Sequence, residues 1–248
     1  MKKKPFVLSG GGVRGCAHLG AVKALAEHNI VPSEIAGTSA GAIAGAFLAN
    51  GFTPDEIIEM LVSRFSLHLL SWNSFKLGLI SHKDIREFLE KNLRYTEFDK
   101  LPIPLHVTAT SFVDGRQKIF TQGNVVDAVM AASSIPVLFP PTFIDDVPYV
   151  DGGLSNNLPV EPFADQKQNV VSIYVNPLKL FKLDTGVFEL MDRSLHLSFR
   201  EMVSRSAKDC FMYIEPEDLH KFGLFDINKM EAIFKIGYTY TKSMVKTF

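Results

Sequence analysis

Gly37-Thr38-Ser39-Ala40-Gly41 has the G-x-S-x-G spacing, in which glycines two places either side of a serine let the chain turn sharply and lift the hydroxyl out of a strand end. A hydroxyl placed there can attack a carbonyl if a base takes its proton and donors stabilise the oxyanion that forms. Gly10-Gly11-Gly12-Val13-Arg14-Gly15 is a second glycine-rich turn. Its backbone N–H groups, at the start of a helix, suit an anion. We read the N–H groups of Gly11, Gly12 and Val13 as an oxyanion hole, with that of Ala40, next to the serine, as an alternative donor. Arg14 either holds this loop or steers an anionic head group. Asp151 ends an apolar strand and is followed by Gly152 and Gly153, so its carboxylate can approach a reacting group without crowding.

Each feature also has an ordinary structural reading. The serine turn could simply pack a helix on a sheet, and an aspartate before two glycines is common in turns. The first glycine loop also fits G-x-G-x-x-G, the dinucleotide fingerprint. That reading requires an acid at the end of the second strand, whereas this strand ends in the serine turn and its nearby acid, Glu34, lies at its start. The usual base for a serine is histidine. His18, His28, His68, His82, His106, His196 and His220 read as helix or surface residues, although Ser39, Asp151 and His220 follow the chain order of a hydrolase triad, which stays open. Cys16 reads as a small buried helix residue. No H-E-x-x-H, zinc-spaced cysteine set or P-loop lysine occurs, so no metal or nucleotide cofactor is expected.

These residues need elements to hold them. Phe6-Val7-Leu8 is a short strand feeding the glycine loop, and Leu19, Val22 and Ala26 mark one face of the following helix. Ile35-Ala36-Gly37 is a second strand running into Ser39, with a helix from Ala40 to Asn50 closed by Gly51. Thr53 to Glu56 is a capping box, and Ser81 caps a run through Leu93. Leu101 to Thr121 reads as a hairpin about Asp114-Gly115, Asn124 caps a helix through Ala132, and a strand pair turns at Asp145-Asp146. Val170 to Val175 is an apolar strand of the kind covered on both faces, followed by helical patterns from Gly186 to Lys208 and Asp226 to Lys246. Alternating strands and helices predict an α/β fold with a mainly parallel sheet and its site at the carboxyl ends of strands.

A chain of 248 residues, 46% apolar and 21% charged, can bury a core as one domain spanning residues 1–248. The net charge of −1 comes without a basic stripe, which excludes nucleic acid as a partner. Two cysteines cannot form a disulfide framework and suit a reducing compartment. The apolar stretch after Met1-Lys2-Lys3-Lys4 is too short for a signal peptide, so a cytoplasmic protein is expected. Leu67 to Ile80, with Leu70, Trp72 and Phe75, is rich in large apolar residues without clean periodicity. It reads as a lid or acyl-binding wall that gives peripheral contact with membrane lipid; its plain alternative is a loop buried on the core. Oligomeric state leaves no mark in the sequence.

Taken together, the residues resemble the patatin-like phospholipases. Gly10 to Gly15 matches that family's G-G-G-x-R-G loop, Gly37 to Gly41 its G-T-S-A-G elbow and Asp151-Gly152-Gly153 its D-G-[GA] motif. Ala132-Ser133-Ser134-Ile135-Pro136, and Asn156-Asn157 with Pro159, resemble further segments of it. The motifs run from residue 8 to about 162; the C-terminal helices over 186–246 are placed by pattern alone. The resemblance implies a three-layer α/β/α fold like those of patatin and the cytosolic phospholipase A2 catalytic domain. It also implies a Ser-Asp dyad with Ser39 as nucleophile and Asp151 as base, an oxyanion hole at Gly11, Gly12 and Val13, and metal-free cleavage of fatty acyl esters of phospholipids or lysophospholipids. Two alternatives share the fold: an acyltransferase using the same serine, and a lipid-binding protein with weak or no catalysis.

Overall fold

The computed structural model describes residues 1–66, 81–178 and 186–246. The expected lid over Leu67 to Ile80, with Leu70, Trp72 and Phe75, lies outside the described residues. In chain order the elements are β1 (Lys2–Leu8), α1 (Cys16–Glu27), β2 (Ile30–Thr38), α2 (Ala40–Ala49), α3 (Pro54–Ser66), α4 (His82–Asn92), β3 (Leu105–Ser111), β4 (Gln117–Phe120), α5 (Val125–Ala132), β5 (Thr142–Ile144), β6 (Val147–Asp151), β7 (Val171–Ile173), α6 (Val187–Ala207), β8 (Met212–Ile214) and α7 (Met230–Val245).

Local signals account for most boundaries. Ser81 and Asp84 close a reciprocal capping box at α4, and Asn124 accepts the Asp127 N–H at the start of α5. Asp145 and Asp146 both take positive φ, 49° and 61°, as a two-residue turn twisted to suit a hairpin requires. The first strand is longer than Phe6-Val7-Leu8. Lys2, Lys3 and Lys4 pair with the start of β2, because exposed ladder positions tolerate charge. The strand β8 went unread, since three residues cannot display a period of two.

The sheet runs β5-β6-β3-β2-β1-β7-β8, with β4 also pairing β3. The pairs β1–β2, β1–β7, β2–β3 and β7–β8 are parallel; the pairs involving β4, β5 and β6 are antiparallel. Both faces are covered, so β1 is buried on both: Phe6 and Leu8 enter the core under α1, α2 and α5, while Val7 joins Phe163, Phe199 and Val203 on the opposite side.

The register of β3 matters most for the site. Residues 105–108 pair with β2, and residues 109–111 pair with β6. Strand β4 pairs residues 107–110, overlapping both, so it must take the other edge. Strands β2 and β6 therefore lie end to end along one edge of β3, running in opposite senses. Thr38 sits opposite Thr108 and Asp151 opposite Ala109, so the carboxyl ends of the two strands face one another.

Candidate active site

Ser39 follows the last residue of β2 and caps α2 with φ 51° and ψ −126°. A positive φ at a residue bearing a Cβ is strained and needs support from its surroundings. The support is visible. The Ser39 N–H donates to the Ala132 carbonyl at 3.1 Å, and its carbonyl accepts from the Ala42 and Ile43 N–H groups at 2.9 and 3.1 Å. The flanking glycines are needed for space: a Cβ on Gly37 would lie 2.5 Å from the Gly41 carbonyl oxygen, and one on Gly41 2.2 Å from that of Leu8.

Asp151 ends β6 with its N–H donated to the Ser134 carbonyl at 2.9 Å. Its Oδ1 accepts the Gly153 N–H at 2.8 Å. The residue is 7% exposed, and burial pushes its carboxyl up to about 6, opposed by hydrogen bonds from the Ser39 hydroxyl and the Gly153 N–H. Among the described residues Oδ2 has no well-formed partner, so the contact with Ser39 is the looser of the two. Loose hydrogen bonds of this kind are common where a substrate has yet to close a site. Gly152 permits the approach of the two strand ends, since a Cβ there would lie 2.0 Å from the Thr108 carbonyl oxygen and 2.2 Å from Thr38 Oγ1.

The glycine loop passes beside both residues. A Cβ on Gly10 would lie 3.2 Å from that of Ser39, and one on Gly15 2.6 Å from that of Ala40. Of the three N–H groups expected to form an oxyanion hole, that of Val13 is engaged: it donates to the Leu224 carbonyl at 2.9 Å. This corrects the expected donor set, because an N–H bonded to a carbonyl is not free for a ligand. The Gly11, Gly12 and Ala40 N–H groups meet no acceptor among the described residues. Gly12 has φ 55° and lies against the Leu224 backbone, where a Cβ would be 2.5 Å from the carbonyl oxygen.

Arg14 is 6% exposed and donates to the Phe222 carbonyl at 2.8 Å and to Asn176 Oδ1 at 3.3 Å. Of its two expected roles, holding the loop is the one these bonds serve. Asn176 Nδ2 donates to the Gly10 carbonyl at 2.7 Å, and the Gly10 N–H donates to the Asn157 carbonyl at 3.3 Å. The sequence reading missed Asn176, although its position just past an apolar strand was a usable signal. His18, fully buried beneath the loop, contacts the Ser9 carbonyl at 2.8 Å, and desolvation lowers its pKa to about 4. It is therefore neutral near pH 7, and Nε2 carries the proton.

His220 is not among the hydrogen-bond partners of the Asp151 carboxyl, which among the described residues are Ser39 and Gly153. Its Nδ1 bonds the Glu217 carbonyl at 2.6 Å, within its own turn. Cys16 lines the cavity beside Ser39, but burial raises its thiol to about 12, well away from thiolate chemistry. Among the described residues no group of three or more His, Cys, Asp or Glu side chains could hold a metal ion, and no helix is long and apolar enough to cross a membrane.

An apolar slot open to solvent has Ser39 in its wall. Its lining grades from the partly exposed Ala40, Ile43 and Phe139 to the buried Ala44, Phe88 and Met230. Phe88, in its wall, packs on Phe47 with ring centroids 5.3 Å apart. Apart from a few hydroxyls and main-chain groups the lining is aliphatic and aromatic, so it suits a hydrocarbon. Sequence reading missed this slot, because its walls come from five helices and three loops remote in sequence.

Residues 6–164 match the family described as patatin-like phospholipase. An uncharacterized NTE family protein of Mycobacterium tuberculosis is 32% identical over 94% of this chain and 44% of its own length. Lysophospholipase NTE1 of Mycosarcoma maydis is 31% identical over 73% of this chain and 10% of its own length. The chain thus spans less than half the length of these relatives. Among solved structures, VipD from Legionella pneumophila superposes on the whole chain with TM-score 0.60, 17% identity and 67% of that chain covered, a likeness of fold.

Proposed function

The chain belongs to the patatin-like phospholipase family, and from that premise we propose that it hydrolyses fatty acyl esters of phospholipids or lysophospholipids through Ser39 and Asp151. The observation carrying this reading is the meeting of two strand ends, which brings together a buried carboxylate and a strained serine that lies in the wall of an apolar slot.

In the proposed reaction Asp151 accepts the Ser39 hydroxyl proton as Oγ attacks the ester carbonyl carbon. The oxyanion is stabilised by the Gly11, Gly12 and Ala40 N–H groups. Collapse breaks the ester C–O bond, and the leaving alkoxide takes the proton back from Asp151. Water then attacks the acyl-serine, giving one proton to Asp151. The free acid leaves as Ser39 Oγ recovers that proton. The acyl chain occupies the slot between Ala44 and Phe139 throughout. The name of the fungal relative, a lysophospholipase, favours a single-chain lipid as substrate.

Fluorophosphonate labelling tests the covalent step, and mass spectrometry of a lipid extract tests the substrate. The folded protein is expected to gain the probe at Ser39 and to release free fatty acid. Ser39→Ala should lose labelling altogether and turnover by about a thousandfold or more. A Ser39→Ala protein that hydrolyses as fast as the parent would rule the reading out.

A further inference from the structure

Residues 132–135 join the two halves of the site. The Ala132 carbonyl accepts the Ser39 N–H at 3.1 Å, and the Ser134 carbonyl, two residues on, accepts the Asp151 N–H at 2.9 Å. Ser133 Oγ also donates to the Ser39 carbonyl at 3.4 Å. The relative placement of Ser39 and Asp151 therefore depends on how firmly this short segment is held.

Its anchor is the Ser134 side chain. Ser134 Oγ donates its one proton to the Met130 carbonyl at 2.8 Å, which leaves two lone pairs to accept from Thr142 Oγ1 at 3.0 Å and from His82 Nε2 at 3.1 Å. The bond to Met130 fixes the tautomer, since Nε2 must carry the hydrogen. His82 is the first residue of α4, and its ring stacks on Phe139, a wall of the slot, with centroids 5.3 Å apart and planes 30° apart. The charged neighbours are Arg86 one turn on, itself paired with Asp127 of α5 at 2.8 Å, and Asp84 in the capping box. Partial burial lowers the His82 pKa, opposed by an interaction with the Met130 carbonyl that Ser134 also bonds and assisted by the Arg86 charge; the N-terminal end of a helix also disfavours an imidazolium.

We propose that His82 is a positioning residue of the site, tying α4 to Ser134 by its Nε2–H bond and through Ser134 fixing Asp151 against Ser39. The proposal rests on the Ser39–Asp151 reading. His82 touches neither of these residues, so its effect passes through the 132–135 segment. Sequence inspection dismissed this histidine because nothing in the primary structure places it near residue 134.

Three variants separate the hydrogen bond from packing. His82→Phe keeps the stacking on Phe139 and removes the donor; His82→Gln restores a donor near the Nε2 position; His82→Ala removes both. Each is compared with the parent for melting temperature, rate of Ser39 labelling by a fluorophosphonate, kcat and KM on one ester, and the acid limb of kcat/KM. His82→Phe should lower kcat and the labelling rate by about tenfold or more, with KM changed less than about twofold, as expected when reacting groups are slightly misplaced. Its acid limb should move to lower pH, because a looser segment admits water to Asp151. His82→Gln should recover most of the rate. Parent-like kcat, labelling and acid limb in His82→Phe would overturn the proposal, as would a His82→Gln protein that melts like the parent yet fails as badly as His82→Phe. If the parent protein itself is not labelled at Ser39, the dyad reading falls first and takes this proposal with it.

Discussion

Asp151 is buried in a state that a fold would not choose for stability. Its carboxyl titrates near 6 in the folded protein, against an ordinary value of 3.8. Between these values the folded chain holds a proton that the unfolded chain has lost, so stability falls as pH rises through the window. Above pH 6 the ionised group costs about 3 kcal/mol. Asp151→Asn removes that cost while keeping an acceptor for the Gly153 N–H. We expect it to raise the melting temperature at pH 7.5, with the gain vanishing below pH 4, and to abolish ester hydrolysis. The parent's kcat/KM should decline below pH 6. His18 acts in the opposite sense: its depressed pKa means stability is lost as pH falls from 6.5 towards 4. The difference between parent and Asp151→Asn is therefore the quantity to measure by thermal unfolding. A variant less stable than the parent at pH 7.5 would contradict the argument.

At the scale of elements, the site is a consequence of register. Strands β2 and β6 share one edge of β3 and stop one residue apart on it, at Thr108 and Ala109. Gly152 is where a side chain would force them apart, because both atoms it would strike, a main-chain oxygen and a hydroxyl bonded to it, are fixed. Gly152→Ala should destabilise the fold by about 1–3 kcal/mol and reduce Ser39 labelling out of proportion to that loss. Gly186→Ala, where a Cβ meets nothing within 4 Å among the described residues, is the control: at the N-cap of α6 it should cost under about 1 kcal/mol and leave labelling unchanged. Denaturant unfolding and labelling rates would read the difference; equal behaviour of the two variants would count against the register argument. The strands and hairpin turns were legible in the sequence, since alternation and turn chemistry are local. The end-to-end meeting was not, because pairing order is a contest among strands far apart in the chain.

At the scale of the molecule, the motifs end before the site is complete. The family match stops at residue 164, yet Asn176, Phe222 and Leu224 hold the glycine loop, and α7 closes against α1 where Gly20 and Gly237 let the backbones touch. A protein truncated after residue 164 should fail to label at Ser39 and lose cooperative unfolding, since β1 would lose β7 and the loop its supports. Labelling at the rate of the 248-residue chain would show residues 165–248 to be dispensable. The sequence by itself determined the family, the serine turn and its glycines, because those depend on spacings within five or six residues that backbone sterics impose. Only the tertiary structure decided which loop N–H groups are free among the described residues, how the Asp151 strand end meets that of Ser39, and that His82 bonds Ser134. Each of these is a matter of burial and of partners brought together across 40 or more residues, which no local pattern encodes.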